Sequence, residues 1–135
     1  MMQRTWQWTL MLLALGFFAF LGWIIYLANT AQTSVFFDLV RALPYGDKLG
    51  HFVLFGTATL LVSLALKAAC WRLGRVKVYW GALVVFVFAL CEEISQAFIA
   101  SRTFDLVDLT ADVLGIVAAS YLVNLLVKQY KKSQS

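Results

Sequence analysis

The sequence predicts an all-α integral membrane bundle of four transmembrane helices, forming a single domain over residues 1–135 with both termini in the cytoplasm. Three observations predict it. Hydrophobic residues make up 62% of the chain and charged residues only 13%, against about 45–50% and about 25% in a soluble domain. A chain of 135 residues cannot hide that much apolar surface in one aqueous core. The apolar residues fall into four long runs, and the basic residues cluster at the ends of those runs.

A hydrocarbon core of about 30 Å requires roughly 20 apolar residues in a helix. The first run, about residues 8–28, carries no charge. Arg4 ahead of it resembles the basic start of a secretion signal, but the run exceeds a signal core of about 7–15 residues. Tyr26 and Asn29 also spoil the nearest small-residue cleavage patterns, so the segment is expected to remain as an anchor. The second run, about 50–69, follows Pro44, which favours entry into a helix. The third, about 78–100, carries Glu92 and Glu93, and the fourth, about 106–127, carries Asp108 and Asp112. The short connections between runs two, three and four predict antiparallel neighbours.

Orientation follows from lysine and arginine. Arg4, Lys67, Arg72, Arg75, Lys77, Lys128, Lys131 and Lys132 fall at one membrane face with no acid among them. Arg41, Lys48 and Arg102 share the other face with all seven acids, Asp38, Asp47, Glu92, Glu93, Asp105, Asp108 and Asp112. Cytoplasmic placement of the first group satisfies the positive-inside rule. The net charge of +4 is then accounted for by topology, and no nucleic-acid partner is expected. Cys70 and Cys91 lack metal or redox spacing and read as packing thiols.

Ionisable groups at membrane depth cost about 2.5–3.5 kcal/mol each on insertion scales, so they imply partners or a task. Glu92 and Glu93 lie about 21–22 Å along a helix entering at Val78, at 1.5 Å per residue. Gln96 continues the same polar face. Asp108 and Asp112 share a face with Gly115 and Ala119, which directs them into the bundle. Asp47 and Asp105 read as helix caps. His51, the sole histidine, stands one turn beyond Asp47 at the level of the other carboxylates. Glu93 in low dielectric is expected either to hold its proton more tightly or to find Arg102 or His51, and Arg102 reads as a neutralising partner for the acids or a site residue.

Two strings resemble a known family. Asp47-Lys48-Leu49-Gly50-His51-Phe52-Val53-Leu54-Phe55 is similar to the D-K-x-x-H-F-x-x-F block of the VanZ-like membrane proteins. Glu92-Glu93-Ile94-Ser95-Gln96, followed by Arg102-Thr103, Asp108 and Gly115, resembles that family's second block. Asp112 departs from the pattern, standing where the family usually has Asn. The resemblance implies a multi-pass protein of the bacterial cytoplasmic membrane; the family's named member is associated with teicoplanin resistance. It implies no established reaction.

These residues support three functional readings. In the first, an outward polar pocket of Lys48, His51, Glu92, Glu93, Gln96, Arg102, Asp108 and Asp112 binds a lipid-linked envelope precursor, a glycopeptide or a partner protein. The second is a membrane enzyme with His51, Glu93 and Asp108 as candidate catalytic groups and Arg102 with Lys48 holding a phosphate. No nucleophile with an obvious base and no dense metal-ligand motif accompanies them, although His51, Glu93, Asp108 and Asp112 are of types that hold hard cations. No cofactor is assigned. The third is proton or ion transport, which four helices would support only as an oligomer.

Overall fold

The structure is a computed structural model describing residues 2–32 and 34–135, without the side chains of Met2, Gln3 and Phe36. It is 75% helical. The helices are α1 (Met2–Asn29), α2 (Val35–Arg41), α3 (Gly46–Ala65), α4 (Trp80–Gln96) and α5 (Leu106–Gln134). Strands β1 (Cys70–Leu73) and β2 (Val76–Tyr79) pair antiparallel between α3 and α4.

Helices α1, α3 and α5 are long and apolar enough to cross a membrane. Only 22–33% of the most apolar window of each is buried within the protein. The rest of that apolar surface faces outward, including Trp6, Leu12, Leu15, Leu114 and Val117. Water would not tolerate such a surface; lipid does. Helix α4 has 17 residues and rises about 26 Å, just under the hydrocarbon thickness. It packs against both α3 and α5.

Helix α3 is the hub, touching α1, α2, α4 and α5. Its largest contact is with α5, where Gly56 and Gly115 meet backbone to backbone. A Cβ on Gly115 would lie 3.1 Å from the Gly56 nitrogen and collide with the Phe52 carbonyl oxygen. Small residues thus let two membrane helices pack without side chains between them. Ala58, Val85, Ala89 and Val123 are buried around this seam, and the Phe18 ring meets Phe88 edge-on at 5.5 Å.

Several boundaries differ from the expectation. The second helix runs 46–65 rather than 50–69, because Lys67 and Ala68 take left-handed conformations, φ 56° and 54°. Their N–H groups return to the Leu64 and Ser63 carbonyls at 3.0 and 2.7 Å, the paired bonds of a helix ending. The third helix runs 80–96 rather than 78–100. Its expected start is taken by the hairpin, turned at Gly74 (φ 63°) and Arg75, and its end by successive i to i−3 turns from Ala97 to Arg102. The fourth continues to Gln134, and the first begins at Met2. The hairpin and α2 were not expected, so the chain is mostly rather than wholly helical. Cys70 packs against the core as expected, whereas Cys91 is exposed on the outer face of α4.

Long-range contacts fix the two ends of the bundle. The Gln7 amide donates to the Leu64 carbonyl at 3.4 Å and to that of Ala65. Lys77 donates to Asn124 at 3.3 Å. The start of α1, the hairpin and the later part of α5 therefore share one end. At the other, Ser101 donates to the Asn29 carbonyl at 3.1 Å, gathering the end of α1, α2, the start of α3 and the α4–α5 turn.

Candidate functional site

A cavity of about 700 Å³ opens at this second end. One wall is apolar, with Leu21, Ile24 and Ile25 from α1 and Leu54 and Phe55 from α3. The same lining carries Asp47, Lys48, His51, Glu92, Gln96, Arg102, Asp105 and Asp108. Arg41 reaches it from α2.

Lys48 is the electrostatic centre. Its ammonium lies 2.9 Å from Asp105 and 3.3 Å from Asp47, and is hydrogen-bonded to Asp108. One cation thus joins α3 to the start of α5, using the flexible stem that lets lysine reach several acceptors. Asp105 also caps α5, accepting from the Val107 N–H at 2.8 Å, as expected. The Lys48 hydrogen bond, followed by that of Val107, holds the Asp105 carboxyl below its ordinary range. Asp47 is not the cap of α3. That position is Tyr45, at φ 54° with no side-chain bond to the helix, and Asp47 sits in the first turn.

His51 lies between two aspartates. Its Nδ1 is 2.8 Å from Asp112 Oδ1, and its Nε2 is 3.8 Å from Asp108 Oδ2. If Asp112 is ionised its carboxylate only accepts, and then Nδ1 carries the hydrogen and, in the neutral ring, Nε2 keeps its lone pair. Phe55 stacks on the imidazole, centroids 6.0 Å apart at 9°. Asp112 is wholly buried; its Oδ1 meets His51 and its Oδ2 has no partner among the described residues. A carboxylate where the resemblance leads one to expect an amide is therefore accommodated through the histidine.

Glu92 and Glu93 share one donor. Gln96 Nε2 lies 2.8 and 2.9 Å from the two Glu92 oxygens and 3.3 Å from Glu93. Glu93 also accepts the Asp105 backbone N–H at 2.6 Å. It pairs with neither Arg102 nor His51; its carboxylate clamps the start of α5 to α4. Arg102 lines the cavity but closes no ion pair among the described residues. Of the eight expected site residues, six line the cavity, while Glu93 and Asp112 stand behind its wall.

Asp47, Asp105, Arg41 and the apolar residues of α1 complete a cavity that sequence reasoning populated less fully. Asp47, His51 and Asp108 offer ligand atoms within 4.8 Å of one another, a spacing compatible with a cation. Lys48 already supplies positive charge to two of them.

Outward-facing apolar helices around a polar cavity at one end define a helical membrane protein. A family model described as VanZ/LLP1 matches residues 3–127, and the chain belongs to that family. No curated protein and no solved structure matches it.

Proposed function

We propose that the chain is a multi-pass protein of the bacterial cytoplasmic membrane. Helices α1, α3, α4 and α5 cross it, both termini lie inside and the cavity opens outward. The basic residues at the end carrying the termini support this orientation. With Cys70 and Cys91 replaced, a cysteine at Ser133 should be shielded from an impermeant thiol reagent in intact cells. One at Ser101 should react. The reverse pattern overturns the outward site.

The cavity binds an amphipathic envelope ligand as an accessory factor. The observation that carries this reading is its lining: apolar side chains of α1 line the same cavity as three cations, Arg41, Lys48 and Arg102, and four carboxylates. Nearly balanced charge suits a head group rich in both donors and acceptors, such as sugar or peptide, better than a bare polyanion. The apolar wall suits a lipid tail. A lipid-linked cell-wall precursor and a lipoglycopeptide share this chemistry.

Titration of a short-chain lipid-linked glycopeptide precursor into protein held in lipid nanodiscs tests the reading. Gln96→Ala with Arg102→Gln should weaken binding by roughly tenfold or more, one to two lost polar contacts. Unchanged affinity removes the pocket. A lipoglycopeptide titrated in parallel distinguishes the two ligand sources.

The Asp112–His51 arrangement favours a second reading, acid–base chemistry on the bound ligand. His51 Nε2 would take a proton while Asp112 holds the ring. Mass spectrometry of the precursor incubated with wild type and His51→Gln tests it. Product from wild type alone supports catalysis, and no product from either leaves binding as the function.

A further inference from the structure

The opposite end holds a second recess, of about 390 Å³, between the hairpin and α5. Arg75, Lys77 and Lys128 line it together with Tyr79, Tyr121 and Asn124, and no acid does. Lys77 is half-buried and held, its ammonium 3.3 Å from Asn124 Oδ1. Tyr79 is buried, with its hydroxyl 3.5 Å from the same oxygen. The amide oxygen thus serves both neighbours, and the Asn124 NH2 remains as a donor. None of the three cations forms an ion pair among the described residues.

The recess has a polarity gradient along α5. Val117 lies at one end of the lining and Lys128 at the other, separated by about 16 Å at 1.5 Å per residue. Val117 belongs to the outward apolar surface, where acyl chains run. The exposed rings of Trp71, in β1, and Trp80, at the start of α4, lie at the hairpin end, as aromatic side chains do at a bilayer interface. An apolar wall leading to clustered cations at interface depth matches a phospholipid, with its chain above and its phosphate below. A soluble phosphate compound would use the cations and leave the apolar wall uncovered.

We propose that the recess between the hairpin and α5 is a binding site for one anionic phospholipid, its phosphate held by Arg75, Lys77 and Lys128. The site is separate from the cavity at the other end and does not depend on that cavity's ligand. The alternative reading of these charges, a diffuse positive face, treats all eight basic residues at this end alike. The recess separates Lys77 and Lys128 from Lys131 and Lys132, which do not line it.

Native mass spectrometry of the full-length protein in detergent, titrated with phosphatidylglycerol or phosphatidylcholine, tests the proposal. Wild type should retain one phosphatidylglycerol in preference to phosphatidylcholine. The double variant Lys77→Gln/Lys128→Gln should weaken that binding by roughly ten- to thirtyfold, the expected effect of two interfacial cations. Lys131→Gln/Lys132→Gln removes the same charge and should change it by less than about twofold. If Lys77→Gln disturbs the hairpin, Arg75→Gln/Lys128→Gln gives the same comparison with exposed side chains alone. Equal losses in the two pairs would overturn the site in favour of diffuse charge. Displacement of the lipid by glycerol phosphate at equal concentration would overturn it in favour of a soluble anion.

Discussion

At the cavity end of the bundle, Lys48, His51, Glu92, Glu93, Asp108 and Asp112 lie at least partly within the structure, and each is bound to a named partner. Lys48 joins three aspartates, His51 spans two, and Glu93 holds a backbone N–H. At the opposite end, seven of eight cations are exposed, Lys77 is half-buried against Asn124, and none forms an ion pair among the described residues. Charge at the cavity end is therefore part of the packing, and its removal should be felt as lost stability. Charge at the other end takes no part in the packing seams, and in the proposed orientation it serves topology and lipid contact, so its removal should be felt little in folding. The contrast can be broken at four places.

The largest effect belongs to the seam that makes the buried charges possible. Gly115→Leu places a side chain where even a Cβ collides with the Phe52 carbonyl. It should cost about 3 kcal/mol or prevent folding, the upper part of the overpacking range. Gly22→Ala, whose Cβ meets nothing within 4 Å, is the control and should melt no lower than wild type. Equal melting of Gly115→Leu and wild type in detergent would mean that α3 and α5 do not touch there.

Lys48→Met comes next. It leaves buried Asp108 without its counter-ion. Lys48 is 30% exposed, so the cost should be about 2 kcal/mol rather than the 3–5 of a fully buried pair. Asp108→Asn in the same chain should restore much of it. Failure of that rescue would place the loss in the lysine stem rather than in the charge.

Glu93 tests whether a buried carboxylate is held for its charge or its shape. Glu93→Ala removes the acceptor of the Asp105 N–H and should cost about 1–2 kcal/mol. Glu93→Gln keeps an oxygen in that place and should cost less than half as much. If the two melt alike, charge rather than the backbone clamp is what α4 contributes there.

How much of this was legible depended on range along the chain. Membrane helices showed as long apolar runs, and the buried face of α5 as Asp108, Asp112, Gly115 and Ala119 at helical spacing. The Asp105 cap was local and readable too. The α2 start carried the same kind of signal, since Ser34 accepts from the Phe37 N–H at 3.3 Å. The hairpin was written in Leu73-Gly74-Arg75-Val76, a glycine-first two-residue turn between apolar and β-branched residues. Its charges satisfy the topology rule equally well, which masks the turn signal. The partners of Lys48 and Glu93 were not legible in the same way. Lys48 reaches residues 57 and 60 positions away, and Glu93 one 12 away across a turn. Only the packing of α3, α4 and α5 decides those pairs.

The smallest expected effect has the opposite sign and lies at the basic end. Lys67 holds φ 56° where α3 stops, the position that glycine occupies in this kind of helix ending. For a residue with a Cβ the left-handed conformation costs about 1–2 kcal/mol. Lys67→Gly relieves that cost but gives up a cation beside the helix C-terminus, worth about 0.3–1 kcal/mol. The net should be a gain of about 0.5–1 kcal/mol, read as a small rise in melting temperature in detergent. Lys67→Gln keeps the backbone strain and loses the charge, so it should melt slightly below wild type. The two variants remove the same charge and should move stability in opposite directions. If both fall by the same amount, the lysine charge itself stabilises the fold at this end, and the contrast between the two ends fails.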